Sequence, residues 1–257
     1  MNKYHLIITT SIFDFIKKHL AASAIFLLSI GLAACGGGDS SSSSSPTLNL
    51  NAAYEKHTIG GSSVTGTISG YCQGTRVFTL SPTYSGKTLD GKSALLFNEY
   101  ELDTMAANSN TFCKSFYGSN NISQVKYTGY YDPTTLVPIS SGSNPPTTVY
   151  SDQTPFPTAV TAGSSGLWFN TTTYENGVPA ASGVQTWEVQ ADTSTTLKLI
   201  TNNKAYTYVG KLPLFNQTTT YRINADNTLT ALSKNIQATT LVTGDGNQTI
   251  NEVYQQK

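Results

Sequence analysis

The strongest constraint on the fold is a succession of short segments in the last third of the chain, each alternating apolar and polar residues and each stopped by a turn-forming cluster. In Gln185-Thr186-Trp187-Glu188-Val189-Gln190 the alternation places Trp187 and Val189 on one face of a strand. Ala191-Asp192-Thr193-Ser194 reads as the turn that follows. Leu197-Lys198-Leu199-Ile200 then leads through Asn202-Asn203, residues that tolerate the positive φ of a tight hairpin, into Ala205-Tyr206-Thr207-Tyr208-Val209. Residues 219–223 turn at Ala225-Asp226-Asn227 into 228–232. Consecutive hairpins of this kind predict an antiparallel meander.

Weaker alternation marks strands at 63–72, 75–80, 93–100 and 122–131, and 109–113 has the length of a short helix without a sequence signal that decides it. Between the halves, Pro133, Pro138, Pro145, Pro146, Pro155 and Pro157 crowd a stretch with few backbone donors for a sheet. The expected fold is all-β: an antiparallel meander closed into a sandwich or a partly closed barrel, with no long helical periodicity. Residues 51–257 are read as one domain with an irregular Pro-rich crossover near 132–160; two small domains joined by a linker are the alternative. Fifteen Tyr and ten Phe against two Met agree with a β-rich chain.

The chain starts as an address. Lys3, Lys17 and Lys18 precede an apolar run from Leu20 to Gly31, too short for the roughly 20 apolar residues of a membrane span. Residues 1–34 are therefore read as a signal peptide, with an uncleaved anchor as the alternative. Leu32-Ala33-Ala34-Cys35 resembles the bacterial lipobox, in which the cysteine thiol takes a diacylglyceryl group and the chain is cut before it. Gly36-Gly37-Gly38-Asp39 and six serines follow, so residues 35–50 are read as a lipidated Cys35 on a disordered tether. Several acyl chains on one cysteine hold a protein on a bilayer without spanning it. Gly36 stands where Asp often retains lipoproteins at the inner membrane, which implies delivery to the bacterial outer membrane, facing either the periplasm or the exterior.

Trp187 to Thr196, Thr220 to Thr230, Tyr130-Tyr131-Asp132 with Leu136-Val137-Pro138, and Gly70-Tyr71-Cys72-Gln73-Gly74 are similar to a family of betaproteobacterial lipoproteins with no assigned activity. The likeness covers the leader, the surroundings of Cys72 and most of the last ninety residues. It implies anchoring and a β fold, and it brings no catalytic residue.

Charge excludes one class of partner. Lys plus Arg and Asp plus Glu number 15 each, and removal of the leader leaves 12 basic against 14 acidic side chains, a net of −2. Nucleic acid needs a basic footprint that is missing here. Cys72 and Cys113, 41 positions apart, are the only cysteines left beside Cys35, and in an oxidising compartment they are expected to pair. His57 is the only histidine after the leader, so neither a catalytic triad nor a multi-histidine zinc site is expected, and His57 itself reads as a solvated residue at the domain's start. No catalytic residue, metal site or cofactor is assigned.

Glu99, Glu101 and Asp103 alternate on a strand, at a spacing that suits either a carboxylate pair for glycan hydrolysis or a solvated strand face. Asp90-Gly91, Asp226-Asn227 and Asp245-Gly246-Asn247 read as turns ahead of calcium ligands. Trp168, Trp187, Tyr206 and Tyr208 are the candidates for ligand binding, as a stacking platform for sugars or a lining for acyl chains. The expected protein is a membrane-anchored envelope lipoprotein whose β domain binds a glycan, lipid or envelope protein, or serves structurally. A tethered carboxylate-dependent hydrolase and a lipid-binding chaperone are the alternatives.

Overall fold

A computed structural model describes residues 45–255 apart from 82–83, 90–91, 108–110, 114–121, 142–147, 240–242 and 245. Cys35 and its tract up to residue 44 lie outside the described residues, as do Asp90, Gly91 and Asp245. Among the described residues, helix α1 (Leu50–Gly60) precedes thirteen strands. The first five are β1 (Ser62–Gly70), β2 (Gly74–Leu80), β3 (Tyr84–Leu89), β4 (Lys92–Met105) and β5 (Ile122–Tyr131). Two short strands, β6 (Pro138–Ser141) and β7 (Thr148–Ser151), occupy the proline-rich stretch, and β6 begins on a proline, where a missing donor costs least. The rest are β8 (Ser165–Glu175), β9 (Val178–Ala191), β10 (Leu197–Thr207), β11 (Pro213–Ile223), β12 (Leu229–Ala238) and β13 (Gln248–Gln255).

Every pairing is antiparallel and mostly between consecutive strands. Two pairings are not local: β1 pairs with β13, and β2 pairs with β4. Together they close the meander into a ring, with β3 sharing the edge of β4 beside β2. The all-β expectation is met, as a barrel, and both halves of the chain belong to one sheet. β10 corrects the expected hairpin at Asn202-Asn203: the strand runs straight through both residues, and the reversal comes at 208–211, where Gly210 and Lys211 take positive φ. Asn203 pairs with Gln185 on one side and Gln217 on the other. Cross-strand partners on both flanks outweigh the local turn preference of an Asn pair.

Helix α1 corrects the tether boundary. Asn49 caps it by accepting from the Ala52 amide at 2.9 Å, and Leu48 forms a β-bridge with Val160. Leu50, Ala53 and Tyr54 are buried, so the folded body begins before residue 51. Tyr54 packs edge-on against Phe156 and Trp168 with ring centroids 5.0 and 5.2 Å apart, which seats the helix among the core side chains.

The barrel interior has three layers. Along β9, Trp187 and Val189 belong to one apolar cluster, Ala181 to a second, and Gln185 lies between them. The same order recurs along β10 (Leu197 and Leu199, then Thr201 and Asn203, then Ala205), β11 (Ile223 and Tyr221, then Thr219 and Gln217, then Phe215) and β13 (Tyr254, Glu252, Ile250). A polar belt thus divides two apolar cores. The Cys72–Cys113 disulfide lies in the second core and joins the β1–β2 turn to a helical turn at 111–113. Across β10 to β13 the outer wall carries a row of hydroxyl and amide: Asn202, Thr218, Asn235 and Asn251 are successive register partners, and Asn235 donates to Asn251 at 2.6 Å. A barrel that spans a bilayer shows lipid an apolar outer band instead, and no helix among the described residues is long and apolar enough to cross one.

Candidate functional site

Charges in the belt come from strands that read as apolar-faced. Arg76 on β2 precedes Phe78 and Leu80, Lys234 on β12 precedes Ile236, and Glu252 on β13 lies between Ile250 and Tyr254, all in the inward phase. Arg76 holds Asp103 with two bonds, Nε to Oδ1 at 2.7 Å and Nη2 to Oδ2 at 3.0 Å. Its Nη1 lies 3.0 Å from Glu101 Oε1 and 3.4 Å from Glu252 Oε1. Lys234 Nζ is 3.5 Å from Glu252 Oε1, and Tyr254 donates its hydroxyl to Glu252 Oε2 at 2.6 Å. Gly66 stands between Arg76 and Tyr254 in register, where a Cβ would come within 2.9 Å of the Tyr254 ring.

Two cations therefore face three carboxylates, and the titration of the cluster reflects that excess. Burial pushes Glu101 up to about 7, only partly offset by Arg76 and Lys234. Burial also raises Asp103 against the pull of Arg76. For Glu252 burial is outweighed by Arg76, Lys234 and the bonds from Tyr254 and Lys234, so its carboxyl falls below the ordinary range. Near neutrality a proton on Glu101 leaves the cluster electrically balanced. Neither expected role for these carboxylates describes this arrangement: Glu101 and Asp103 are 3% and 2% exposed, so the face is not solvated, and one guanidinium clasps both. Glu99 sits on the same strand opposite Leu80.

Above the belt, an aromatic chamber of about 70 Å³ lies beneath α1, walled by Tyr54, Phe97, Tyr131, Phe156 and Trp168, with Gln185 and Thr201 also lining it. Burial raises the Tyr54 phenol to about 12 and pulls His57 down to about 4, so His57 is a neutral imidazole, packed against Tyr221 with ring centroids 5.8 Å apart. The solvated position expected for His57 is corrected: the residue is half-buried and lines the chamber. Trp168 is the extra residue of a bulge between Leu167 and Phe169, which turns two consecutive aromatic side chains into the core.

The second concavity is on the outer wall. A groove of about 360 Å³ is floored by Lys204, Asn216, Gln237 and Thr249, successive register partners across β10 to β13. Tyr206 and Pro213 form an apolar edge, and the 239–247 connection contributes Asn247. Asn216 Oδ1 is buried without a hydrogen-bond partner among the described residues. The candidate aromatics are thus split. Trp168 and Trp187 are buried inside, Tyr206 edges the outer groove, and Tyr208 lies 40% exposed in the following turn beneath Lys211 Nζ, 4.9 Å from its ring centroid. Asp226 caps its own turn, accepting from the Thr228 amide and hydroxyl.

An antiparallel barrel with a helix packed into its core and a buried ionic belt is the class that this fold defines. No protein-family model, no curated protein and no solved structure matches the chain.

Proposed function

We propose that the protein is a lipid-tethered, non-enzymatic binding module of the bacterial envelope, anchored through Cys35, and that its outer groove takes a neutral saccharide. The lipobox resemblance and the Gly/Ser tract of residues 36–45 support the anchor. The observation that carries the binding role is the groove: its 360 Å³ falls in the size range of small-molecule sites, and its floor is built of amides and hydroxyls with a single cation. Planar amides match vicinal hydroxyls, and a tyrosine edge offers an apolar face to a sugar ring. The unpartnered Asn216 oxygen adds a buried acceptor for one of those hydroxyls. Binding is favoured over hydrolysis because Glu101 and Asp103 spend their charge on Arg76, away from solvent.

The test is a glycan array followed by calorimetry on the detergent-extracted full chain. Tyr206→Ala and Asn216→Ala each weaken the saccharide bound by the parent at least tenfold at unchanged melting temperature. Equal affinity in both variants, or no saccharide bound by the parent, overturns the reading. Intact mass of the membrane-extracted protein, compared with Cys35→Ser, checks the anchor separately.

A further inference from the structure

Reversals between strands are normally polar, and at the α1 end of the barrel they are. Asp192-Thr193-Ser194-Thr195-Thr196 joins β9 to β10, and Asn224-Ala225-Asp226-Asn227-Thr228 joins β11 to β12. The opposite end departs from that rule. There Tyr208-Val209-Gly210-Lys211-Leu212 joins β10 to β11, and Val178 follows the Asn176-Gly177 turn between β8 and β9. Val209 is 83% exposed, Val178 65% and Leu212 52%. The Tyr208 amide donates to the Ala180 carbonyl at 3.0 Å, so the two hairpin tips lie side by side and present their aliphatic side chains together. Lys211 Nζ, over the Tyr208 ring at 4.9 Å, bonds Ser182 Oγ at 3.0 Å and adds one cation beside them.

A protein partner and a bilayer call for different side chains. Hot spots between proteins are rich in Trp, Tyr and Arg and poor in Val and Leu. A membrane interface takes apolar side chains into its acyl boundary and holds Tyr and Lys at the level of the headgroups, which is the set found on these tips. A bilayer is also within reach on the reading of Cys35 as a lipid anchor, on which this inference rests. Leu48 bridges Val160, and the Gly163 amide donates to the Val189 carbonyl, so the chain enters the barrel near Val189, at the end away from the tips. Eleven residue steps of β9 separate Val189 from Val178, about 37 Å at the rise of a strand. Thirteen steps separate Cys35 from Leu48, a reach of up to about 45 Å. The tether is therefore long enough to let the far end turn back to the membrane that holds the anchor. Tyr206 and Pro213, the apolar edge of the outer groove, are register partners at the base of the same hairpin, so docking there would bring the groove to headgroup level.

We propose that the hairpin tips at 176–178 and 208–212 insert into the interface of a lipid bilayer, so that the tethered domain docks on its own membrane by the end remote from α1. The test uses detergent-extracted full chain reconstituted into vesicles of phosphatidylethanolamine and phosphatidylglycerol, with and without bromine on the acyl chains. Val209→Trp places a reporter on a tip and Thr195→Trp places one on an exposed turn of the other end, while Trp168 and Trp187, 4% and 7% exposed, supply a constant background. Insertion to the depth of an interfacial apolar face shifts the Val209→Trp emission to the blue and lowers it about twofold in brominated vesicles, and leaves Thr195→Trp unchanged. Val178→Asp with Leu212→Asp, made in the Val209→Trp chain, removes most of that quenching. Absence of quenching at 209, equal quenching at both ends, or quenching that survives the two aspartates would overturn the proposal. Intact mass of the same sample reports on acylation of Cys35, which separates failure of the anchor from failure of the tips.

Discussion

Replacement of Glu101 by Gln should convert a pH-dependent stability into a flatter one. The carboxyl is 3% exposed and its pKa is pushed from the ordinary 4.5 to about 7 by burial, so the folded protein binds this proton more tightly than the unfolded chain does. Stability contributed by the group is therefore complete below pH 4.5 and is lost as pH rises towards 7. A displacement of about 2.5 units corresponds to about 3 kcal/mol across that window. Asp103, raised for the same reason, acts in the same direction. Glu252 is lowered, and its contribution is lost only below its ordinary range, outside the window.

His57 opposes Glu101. Its pKa is depressed to about 4, so stability rises with pH between about 4 and 6.5 as the unfolded chain gives up its extra proton, and the raw profile of the parent blends both groups. The difference between parent and Glu101→Gln cancels His57 and isolates the carboxyl. Thermal unfolding by near-ultraviolet circular dichroism at constant ionic strength is the assay. Glu101→Gln should lie close to the parent at pH 5 and gain about 3 kcal/mol on it by pH 8, a difference of roughly 6–12 °C for a domain of this size. Parallel profiles for the two proteins would refute the assignment of a raised pKa to a buried, charge-crowded Glu101.

Three other substitutions probe the interior. Arg76→Leu removes the partner of three buried carboxylates and should cost about 3–5 kcal/mol, measured by urea denaturation at pH 7, with a smaller loss at pH 5 where Glu101 is protonated. The double change Cys72→Ser with Cys113→Ser releases a constraint spanning 41 positions and should lower stability by about 4 kcal/mol, checked against the reduced parent. Gly129→Ala sets a methyl group into the Phe97 ring, which is stacked on Tyr131 with centroids 4.5 Å apart and has little room to turn. About 1–3 kcal/mol should be lost, and Phe97→Leu in the same chain should recover part of it by calorimetry.

Where side chains obey a period of two and turns carry Gly, Asn or Asp, the strands were readable. Residues 122–131 were bounded as they occur, and the turn at 225–227 is present with Asn227 at positive φ. Asn202-Asn203 carries a local turn preference that its cross-strand partners override, and those partners are distant in sequence. Helix α1 leaves a weak sequence signal because only Leu50, Ala53, Tyr54 and Thr58 of its eleven residues are buried, beside a Ser-rich tract. The bulge that carries Trp168 inward depends on a register slip that alternation cannot reveal. The ionic belt did leave a trace: Arg76, Lys234 and Glu252 each occupy the apolar phase of their strands, which marks a charge as interior before any contact is known. The outer groove left none, since Lys204, Asn216, Gln237 and Thr249 are far apart in sequence and join only through register.

The β1–β13 pairing ties the barrel's completion to a strand made long after its partner. Until β13 arrives, β1 and β12 each present an unzipped rim, and such long-range closure makes assembly slow and vulnerable to strand exchange between copies. Synthesis halted just short of β13 would therefore leave an adhesive intermediate, whereas its completion yields a sealed body with nothing left to recruit a neighbour along that seam.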